Sequence, residues 1–359
     1  MKMKKYFIVL MAIISMLICS WQGLAVSQYT ITDLGTLGGN YSCAYGINDN
    51  GQVVGHSSIA GNSTVHAFLY EGTIMKDLGT LGGTRSWASG INNNGQIVGS
   101  SYFDSTEIQH AFLYDGINMK DLGTLEGCFS EALGINDSGR VVGRGSTNGW
   151  SNIHAFSYDG STLNDFGMLS KASSINSNGQ IAGYAYFNGI WGFRACLYDG
   201  GTMKELGTLG GDYSHSEAYG INENGHVVGY SYMTTGNFYK HAFLYNGTIM
   251  KDLGVLGGNV SEAYAINDSG QVVGYSSIAG NDYHAFLYEN GNMIDLNNLL
   301  PTGNNWTVNY AYGINDSSQI VGYGSIGGHN HAFLMTPVPE PCTIALLALG
   351  TLLLRRRKS

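Results

Sequence analysis

The chain has 359 residues, with 53 glycines, only 4 prolines and a formal net charge of −9. Three of its 17 basic residues lie in the first 25 positions and four in the last five, which leaves 10 basic residues in the body against 25 acidic ones. This acidic body disfavours nucleic acid and anionic surfaces as partners. A glycine-rich chain with little proline is typical of many short strands joined by tight turns.

The first 25 residues have the three parts of a secretory signal peptide. Lys2, Lys4 and Lys5 form a basic start, an apolar run follows from 6 to 19, and small residues precede a cleavage site after Ala25. An N-terminal membrane anchor is the alternative interpretation. Either form would be a helix, and the signal peptide predicts export.

The body consists of seven copies of one sequence unit. An Ile-Asn pair begins at positions 47, 91, 135, 175, 221, 266 and 314, and the successive steps are 44, 44, 40, 46, 45 and 48 residues. A His-Ala-Phe triplet follows in six copies and becomes Arg194-Ala195-Cys196 in the fourth. A period of about 40–50 residues is typical of a solenoid or a propeller.

The second copy shows the strand pattern within a unit. Runs at 87–91, 96–100, 110–114 and 119–123 are separated by turn signals, among them Asn-Gly and Asp-Gly. Four antiparallel strands in about 44 residues are typical of one propeller blade. Residues 26–336 are therefore predicted to form an all-β, seven-bladed propeller of four-stranded blades.

An Asp-Leu-Gly strand at 29–35 precedes the first Ile-Asn strand, whereas the last copy has no such strand after its His-Ala-Phe run. We therefore predict that the N-terminal strand pairs with the last blade and closes the ring. Closure would cover a strand edge that otherwise invites aggregation.

One histidine per copy predicts a ring of separated side chains rather than a metal site. Each imidazole is expected to bond a backbone group or a nearby Asn within its blade, and Asp33 and Asp77 are expected to act as locking acceptors. The Asn-Asp-x-Gly segments lack the carboxylates of a calcium loop, so no cofactor is predicted. The repeat histidines are His66, His110, His154, His241, His284 and His331.

No catalytic motif is present in the sequence. Cys43, Cys128 and Cys196 occupy non-equivalent repeat positions and are predicted to be small buried residues, although a disulfide among them stays open.

The links between strands two and three vary in sequence, as do the links between copies. They are expected to emerge on one side of the ring, here called the loop face. Variable loops with aromatic side chains predict a non-enzymatic role, either the binding of a glycan or an envelope protein or a structural role. In the structural interpretation the aromatic residues are plugs between neighbouring loops. The alternative is a polysaccharide hydrolase or lyase that uses carboxylates such as Asp212, Glu217 and Glu262. The aromatic residues predicted on the loop face are Trp87, Phe129, Trp150, Trp191, Phe238, Tyr239 and Trp306.

Residues 337–359 carry a second targeting pattern. A Val338-Pro339-Glu340-Pro341 motif precedes an apolar run at 342–354 and the basic residues Arg355, Arg356 and Arg357. The run has 13 residues and would span only about 20 Å as a helix, against a hydrocarbon core of about 30 Å. It predicts a short membrane helix with its C-terminus in the cytoplasm.

Both patterns resemble known families. The tail resembles the PEP-CTERM sorting signal, which implies an exosortase partner, transient membrane anchoring, removal of the tail and export to the cell envelope or extracellular matrix. The repeats resemble the HAF repeat family of extracellular bacterial proteins through His-Ala-Phe-Leu-Tyr at 66–70, 110–114, 241–245 and 284–288. That family implies export and repetition and brings no defined activity.

Overall fold

A computed structural model describes residues 28–104, 108–167, 169–187, 192–211, 214–233, 239–280 and 282–339. These residues form strands and one short 3₁₀ helix, Leu296–Leu299. The predicted signal helix at 1–25 and nearly all of the predicted sorting tail lie outside the described residues. Within the described residues, no helix combines the length and the apolar character that a membrane crossing requires.

The strands follow the repeat units in chain order. The first group contains β1 (Tyr29–Asp33), β2 (Gly38–Ile47), β3 (Val53–Ile59), β4 (Val65–Glu71), β5 (Ile74–Asp77), β6 (Gly82–Ile91), β7 (Ile97–Phe103), β8 (Ile108–Tyr114), β9 (Met119–Gly123), β10 (Ser130–Ile135), β11 (Val141–Asn148), β12 (Ser151–Tyr158), β13 (Leu163–Asp165) and β14 (Leu169–Ile175). The second group contains β15 (Ile181–Tyr186), β16 (Phe193–Asp199), β17 (Thr202–Gly207), β18 (Ser216–Ile221), β19 (Val227–Tyr232), β20 (Lys240–Tyr245), β21 (Met250–Asp252), β22 (Ser261–Ile266), β23 (Val272–Ser277), β24 (Tyr283–Glu289), β25 (Asn292–Asp295), β26 (Trp306–Ile314), β27 (Ile320–Ile326) and β28 (His329–Pro337).

The prediction of seven separate four-stranded blades is wrong. The described residues form six sheets: five antiparallel sheets of four strands, and one sheet of eight strands that combines β2–β5 with β26–β28 and β1. The two sets of strands merge because β2 and β28, which are 10 and 9 residues long, meet in a parallel bridge between Tyr41 and Asn330. The all-β, propeller-like arrangement of four-stranded meanders is confirmed.

The predicted pairing of the N-terminal strand with the last repeat is confirmed. Strand β1 pairs antiparallel with β28 along its whole length, from Tyr29 opposite Pro337 to Asp33 opposite Phe333. The Leu34 amide extends the ladder by donating to the Ala332 carbonyl at 3.0 Å. Tyr29 is fully buried in the apolar cluster of the last repeat. Strand β1 is therefore part of the core of the last unit.

A ring of asparagines ties each copy to the next. In the first copy, the Asn48 side chain accepts a hydrogen bond from the Gln52 amide within its own turn and donates Nδ2–H to the Asn92 carbonyl of the next copy, at 2.9 Å. The last member, Asn315, donates to the Asn48 carbonyl at 3.0 Å and so completes the circle. Because each Asn satisfies both its own turn and its neighbour's carbonyl, these short turns link neighbouring copies around the whole ring. The other members are Asn92, Asn136, Asn176, Asn222 and Asn267.

Apolar clusters lie between neighbouring sheets. Between the second and third copies, Val98 and Ala111 pack with Phe156 and Tyr158. Lysine–tyrosine bonds reinforce the same junctions, as where Lys76 Nζ donates to Tyr114 Oη at 2.7 Å. Packing between repeats therefore supplies most of the core, as expected for a repeat protein.

Candidate functional site

The repeat histidines bind carboxylates within their own units. His66 Nδ1 lies 2.9 Å from the Asp77 carboxylate, and the same pair occurs in five other units. The predicted partner, a backbone group or Asn, is therefore wrong. The locking role predicted for Asp33 and Asp77 agrees with these contacts, because the Asp77 side chain also accepts the Gly79 amide at 2.8 Å. The other pairs are His110–Asp121, His154–Asp165, His241–Asp252, His284–Asp295 and His331–Asp33.

In the fourth unit, an arginine and a glutamate take the places of the histidine and the aspartate. Arg194 Nε lies 3.2 Å from Glu205 Oε1, and the arginine is almost fully buried. Its Nη1 also donates to the Ser214 carbonyl. The departure of the fourth copy from the repeat pattern thus preserves a pair of polar side chains between strands three and four.

The predicted aromatic residues are not gathered at one place. Trp87 lies in β6 against Tyr102, and half-buried Trp306 packs on Phe333 in the core of the last unit. Phe129 stacks on Trp150 with a ring separation of 6.1 Å, and Trp150 is 65% exposed. Tyr239 is exposed. Trp191, Phe238 and Asp212 lie outside the described residues.

A cleft on the loop face lies between the third and fourth units. It has a volume of ≈ 790 Å³ and combines aromatic with polar side chains. Tyr186 lies 4.1 Å from Phe193, centroid to centroid, and is 61% exposed, so one ring face is open to a ligand. We call this the aromatic cleft. Its principal side chains are Arg144, His154, Tyr184, Tyr186, Phe187 and Phe193.

A channel passes through the centre of the ring. Part of it, with a volume of ≈ 240 Å³, is lined by residues from all seven copies, among them Tyr45, Tyr219, Tyr264 and Tyr312. Strand one of each copy runs along the channel from the loop face to the asparagine ring.

Three carboxylates and three cations are grouped around Lys171, which precedes the channel-lining Ser173 by two residues; we call them the channel cluster. Glu131 is paired with Arg144, and Glu262 with Lys240. Arg144 also lines the aromatic cleft, so the two sites adjoin. The remaining members are Lys171 and Glu217.

Tyrosine hydroxyls donate hydrogen bonds to two of the three carboxylates that were singled out from the sequence, Glu217 and Glu262. Glu217 accepts hydrogen bonds from Tyr230 at 2.8 Å and Tyr219 at 3.3 Å. Glu262 accepts equivalent bonds from Tyr275 at 2.7 Å and Tyr264 at 3.3 Å. Burial, followed by repulsion from these carboxylates, raises the pKa of all four tyrosines, so their hydroxyls stay protonated as donors.

The channel wall formed by the first and last copies is aromatic and uncharged. Tyr45 stacks on His56 at 5.5 Å and lies 5.0 Å from Tyr312, centroid to centroid. Burial lowers the pKa of His56 to about 4, so its imidazole is neutral at neutral pH. One wall of the channel is therefore charged and the opposite wall is aromatic.

The far mouth of the channel carries the asparagine ring and several acidic side chains. These carboxylates accept backbone amides from the neighbouring copy, as where Asp49 accepts the Asp316 amide at 3.1 Å. No group of three or more potential metal ligands occurs within the described part of the chain. This mouth is therefore explained by contacts between copies.

The cysteines of the described body are free thiols. Cys43 and Cys196 are buried as predicted, whereas Cys128 is only half-buried. Burial raises the pKa of both buried thiols to about 12, so neither is a reactive thiolate at neutral pH.

The sequence interpretation missed Lys171, Arg144 and Lys240 of the channel cluster. A signal was present: the position after the first-strand Ser is Glu, Lys, Glu and Glu in copies three to six, although the Ala that follows it is constant. This change of charge at one repeat position distinguishes Lys171 from its equivalents in the neighbouring copies.

The solved structures to which the chain is similar include a fungal lectin and two TolB proteins, each at low sequence identity. A mutant of the Aleuria aurantia lectin in complex with Fucα1-6GlcNAc is 12% identical, with a TM-score of 0.40, and the match covers 78% of this chain and 98% of the lectin. TolB from Acinetobacter baumannii is 13% identical, with a TM-score of 0.43 and coverage of 77% and 76%. A putative TolB from Agrobacterium tumefaciens is 11% identical, with a TM-score of 0.43 and coverage of 88% and 100%.

These similarities identify no ligand and no activity. No curated protein matches the chain. Residues 38–190 and 201–330, which are most of the chain, match one family profile. The chain belongs to the family described as "Protein of unknown function (DUF3466)".

Proposed function

We propose that the protein is a non-enzymatic binding protein of the cell surface or extracellular matrix, and that it holds a neutral glycan in the aromatic cleft. The observation that carries this proposal is the cleft itself, where an open Tyr186 ring stands beside Phe193 and polar side chains. Aromatic faces stack on sugar rings, and Arg144 and His154 offer donors to sugar oxygens. The acidic body disfavours an anionic polymer.

The hydrolase alternative depends on carboxylates that are free to exchange protons. Glu262 instead accepts hydrogen bonds from two tyrosines and is paired with Lys240. This favours binding over turnover, and an assay for turnover belongs in the same experiment.

A glycan array on the purified body tests the cleft. Tyr186→Ala is expected to weaken the bound glycan about tenfold, because losing one stacked ring costs about 1–1.5 kcal/mol. Tyr283→Ala is the matched control, since this exposed tyrosine lies in β24, away from the cleft. The proposal would be contradicted if no glycan on the array were bound, or if both variants lost the same amount of binding affinity. Turnover of a bound glycan would contradict it as well.

We also propose that the protein is exported, with the N-terminal signal peptide directing export and the C-terminal tail directing sorting. The PEP-CTERM resemblance makes an exosortase the sorting partner, and the mature protein should lack the signal peptide and the tail. Intact-mass measurement of the envelope fraction checks this. A mass that includes Met1 and Ser359 would reject processing. Alanines at Pro339, Glu340 and Pro341 should leave the protein at the inner membrane.

A further inference from the structure

Lys171 is a largely buried cation without a bonded partner in the described part of the protein. Its Nζ makes no hydrogen bond or ion pair there, and its defined contact is with the Tyr219 ring, 5.2 Å from the centroid. Burial, followed by repulsion from Arg144, lowers the pKa of Lys171, and the nearby glutamates oppose this shift. An ammonium group that loses water without gaining acceptors is costly, so an acceptor supplied from the channel would stabilise it.

Glu217, on the neighbouring strand β18, is the matching anion. It accepts hydrogen bonds from Tyr219 and Tyr230, and no cation of the described residues lies within 4.0 Å of it. Lys171 and Glu217 flank one side chain, because Lys171 Nζ lies over the Tyr219 ring and Glu217 accepts a hydrogen bond from the Tyr219 hydroxyl. They form no ion pair with each other, so a donor and an acceptor stand beside the same tyrosine. A ligand hydroxyl suits this pair, because it both accepts and donates a hydrogen bond.

A second unsatisfied group lies deeper in the channel. Ser173 follows Lys171 by two residues on β14, lines the channel, and has a buried Oγ without a hydrogen-bond partner among the described residues. The Tyr219 and Tyr264 rings, which stack at 5.4 Å, form the adjoining wall. Polar groups that lack partners beside an aromatic wall are features of a binding site for a small polar ligand.

We propose that the channel is a second binding site, which takes a small neutral polyol such as a single sugar residue. One ligand hydroxyl would accept a hydrogen bond from Lys171 and donate one to Glu217, and another would reach Ser173. The channel cluster holds three cations and three carboxylates, so a neutral ligand leaves its charge balance unchanged. This site does not depend on ligand binding in the aromatic cleft.

Calorimetric titration of the purified body with methyl glycosides of glucose, galactose and mannose tests this proposal. At least one glycoside is expected to bind. Lys171→Met and Glu217→Gln should each lower the affinity for that glycoside at least tenfold. Lys251→Met is the matched control, because Lys251 bonds Tyr288 Oη at 2.7 Å outside the channel. The Lys251→Met variant should bind the glycoside with the same affinity as the unmodified protein.

Two further measurements separate the outcomes. Tyr186→Ala should keep the channel affinity, even where it abolishes binding to the array, so failure of one site does not imply failure of the other. Acetylation of Lys171 by an activated acetate ester, followed by peptide mass spectrometry, should slow when the glycoside is bound. Absence of binding by all three glycosides, or equal affinity in Lys171→Met with an unchanged melting temperature, would overturn the proposal.

Discussion

Deleting residues 26–36 is expected to lower the melting temperature by about 10–20 °C. The deletion removes Tyr29 and Leu34 from the core together with the whole β1–β28 ladder. Loss of one buried aromatic side chain alone costs about 3–5 kcal/mol, and 1 kcal/mol shifts the melting temperature of a domain of this order of size by about 2–4 °C. Differential scanning calorimetry measures the change. The exposed edge of β28 should also promote association, visible by light scattering.

Point variants separate the packing of Tyr29 from its hydroxyl group. Tyr29→Ala should lose much of the stability that the deletion loses. Tyr29→Phe should be neutral or slightly stabilising, because the buried Tyr29 hydroxyl has no hydrogen-bond partner in the described structure. A truncated protein with unchanged melting and a single monomeric species would contradict closure by β1.

Replacing Glu205 by alanine is expected to destabilise the protein by about 3 kcal/mol. The change leaves the buried Arg194 guanidinium without its carboxylate, and breaking a buried pair from one side costs about 3–5 kcal/mol. The lower value applies because Glu205 is partly exposed. Urea unfolding followed by fluorescence measures the change. Glu71→Ala is the control, since the exposed Glu71 side chain accepts a hydrogen bond from Gln52 and should change stability by less than about 0.5 kcal/mol.

A double-mutant cycle tests whether the Arg194–Glu205 pair stabilises its unit in the same way as the histidine–aspartate pairs stabilise theirs. Arg194→His combined with Glu205→Asp recreates the pair of the other six units. The double variant should be more stable than the sum of the single changes predicts, by at least about 1 kcal/mol. Strict additivity would show that Arg194 and Glu205 are not coupled.

The strands and the closing pair were predictable because both depend on local patterns. The predicted strand at 119–123 coincides with β9 (Met119–Gly123), and turns such as Asn94-Gly95 mark the hairpins. β1 was predictable because its Asp-Leu-Gly pattern stands alone at the start of the chain. The joining of two units into one sheet was not predictable, since it depends on both residues of the Tyr41–Asn330 bridge falling inside long strands. The equivalent Gln109–Phe129 bridge joins no sheets, because Phe129 precedes β10.

The partners of the repeat histidines left a signal that the sequence interpretation did not use. Five of the six histidines precede their aspartates by 11 residues, and Arg194 precedes Glu205 by the same distance. The sixth, His331, pairs with Asp33 across the closure of the ring. The channel site gave a weaker signal. Strand alternation predicts that Lys171 and Ser173 share a face, although the register of β14 is irregular on both sides of Lys171. That Lys171 lies near Glu217 follows only from the packing of one copy on the next.

The ladder between β1 and β28 also sets when the protein can finish folding. Asp33 pairs with Phe333, 300 positions later, so the first strand to be synthesised must wait for the last. At about 5–20 residues per second, a ribosome needs roughly 15–60 s to make the intervening chain. Throughout that time the first strand has no partner in its own molecule, and a neighbouring nascent chain that already exposes its β28 can capture it. Crowded synthesis therefore favours strand-exchanged oligomers, whereas dilute synthesis favours the closed monomer.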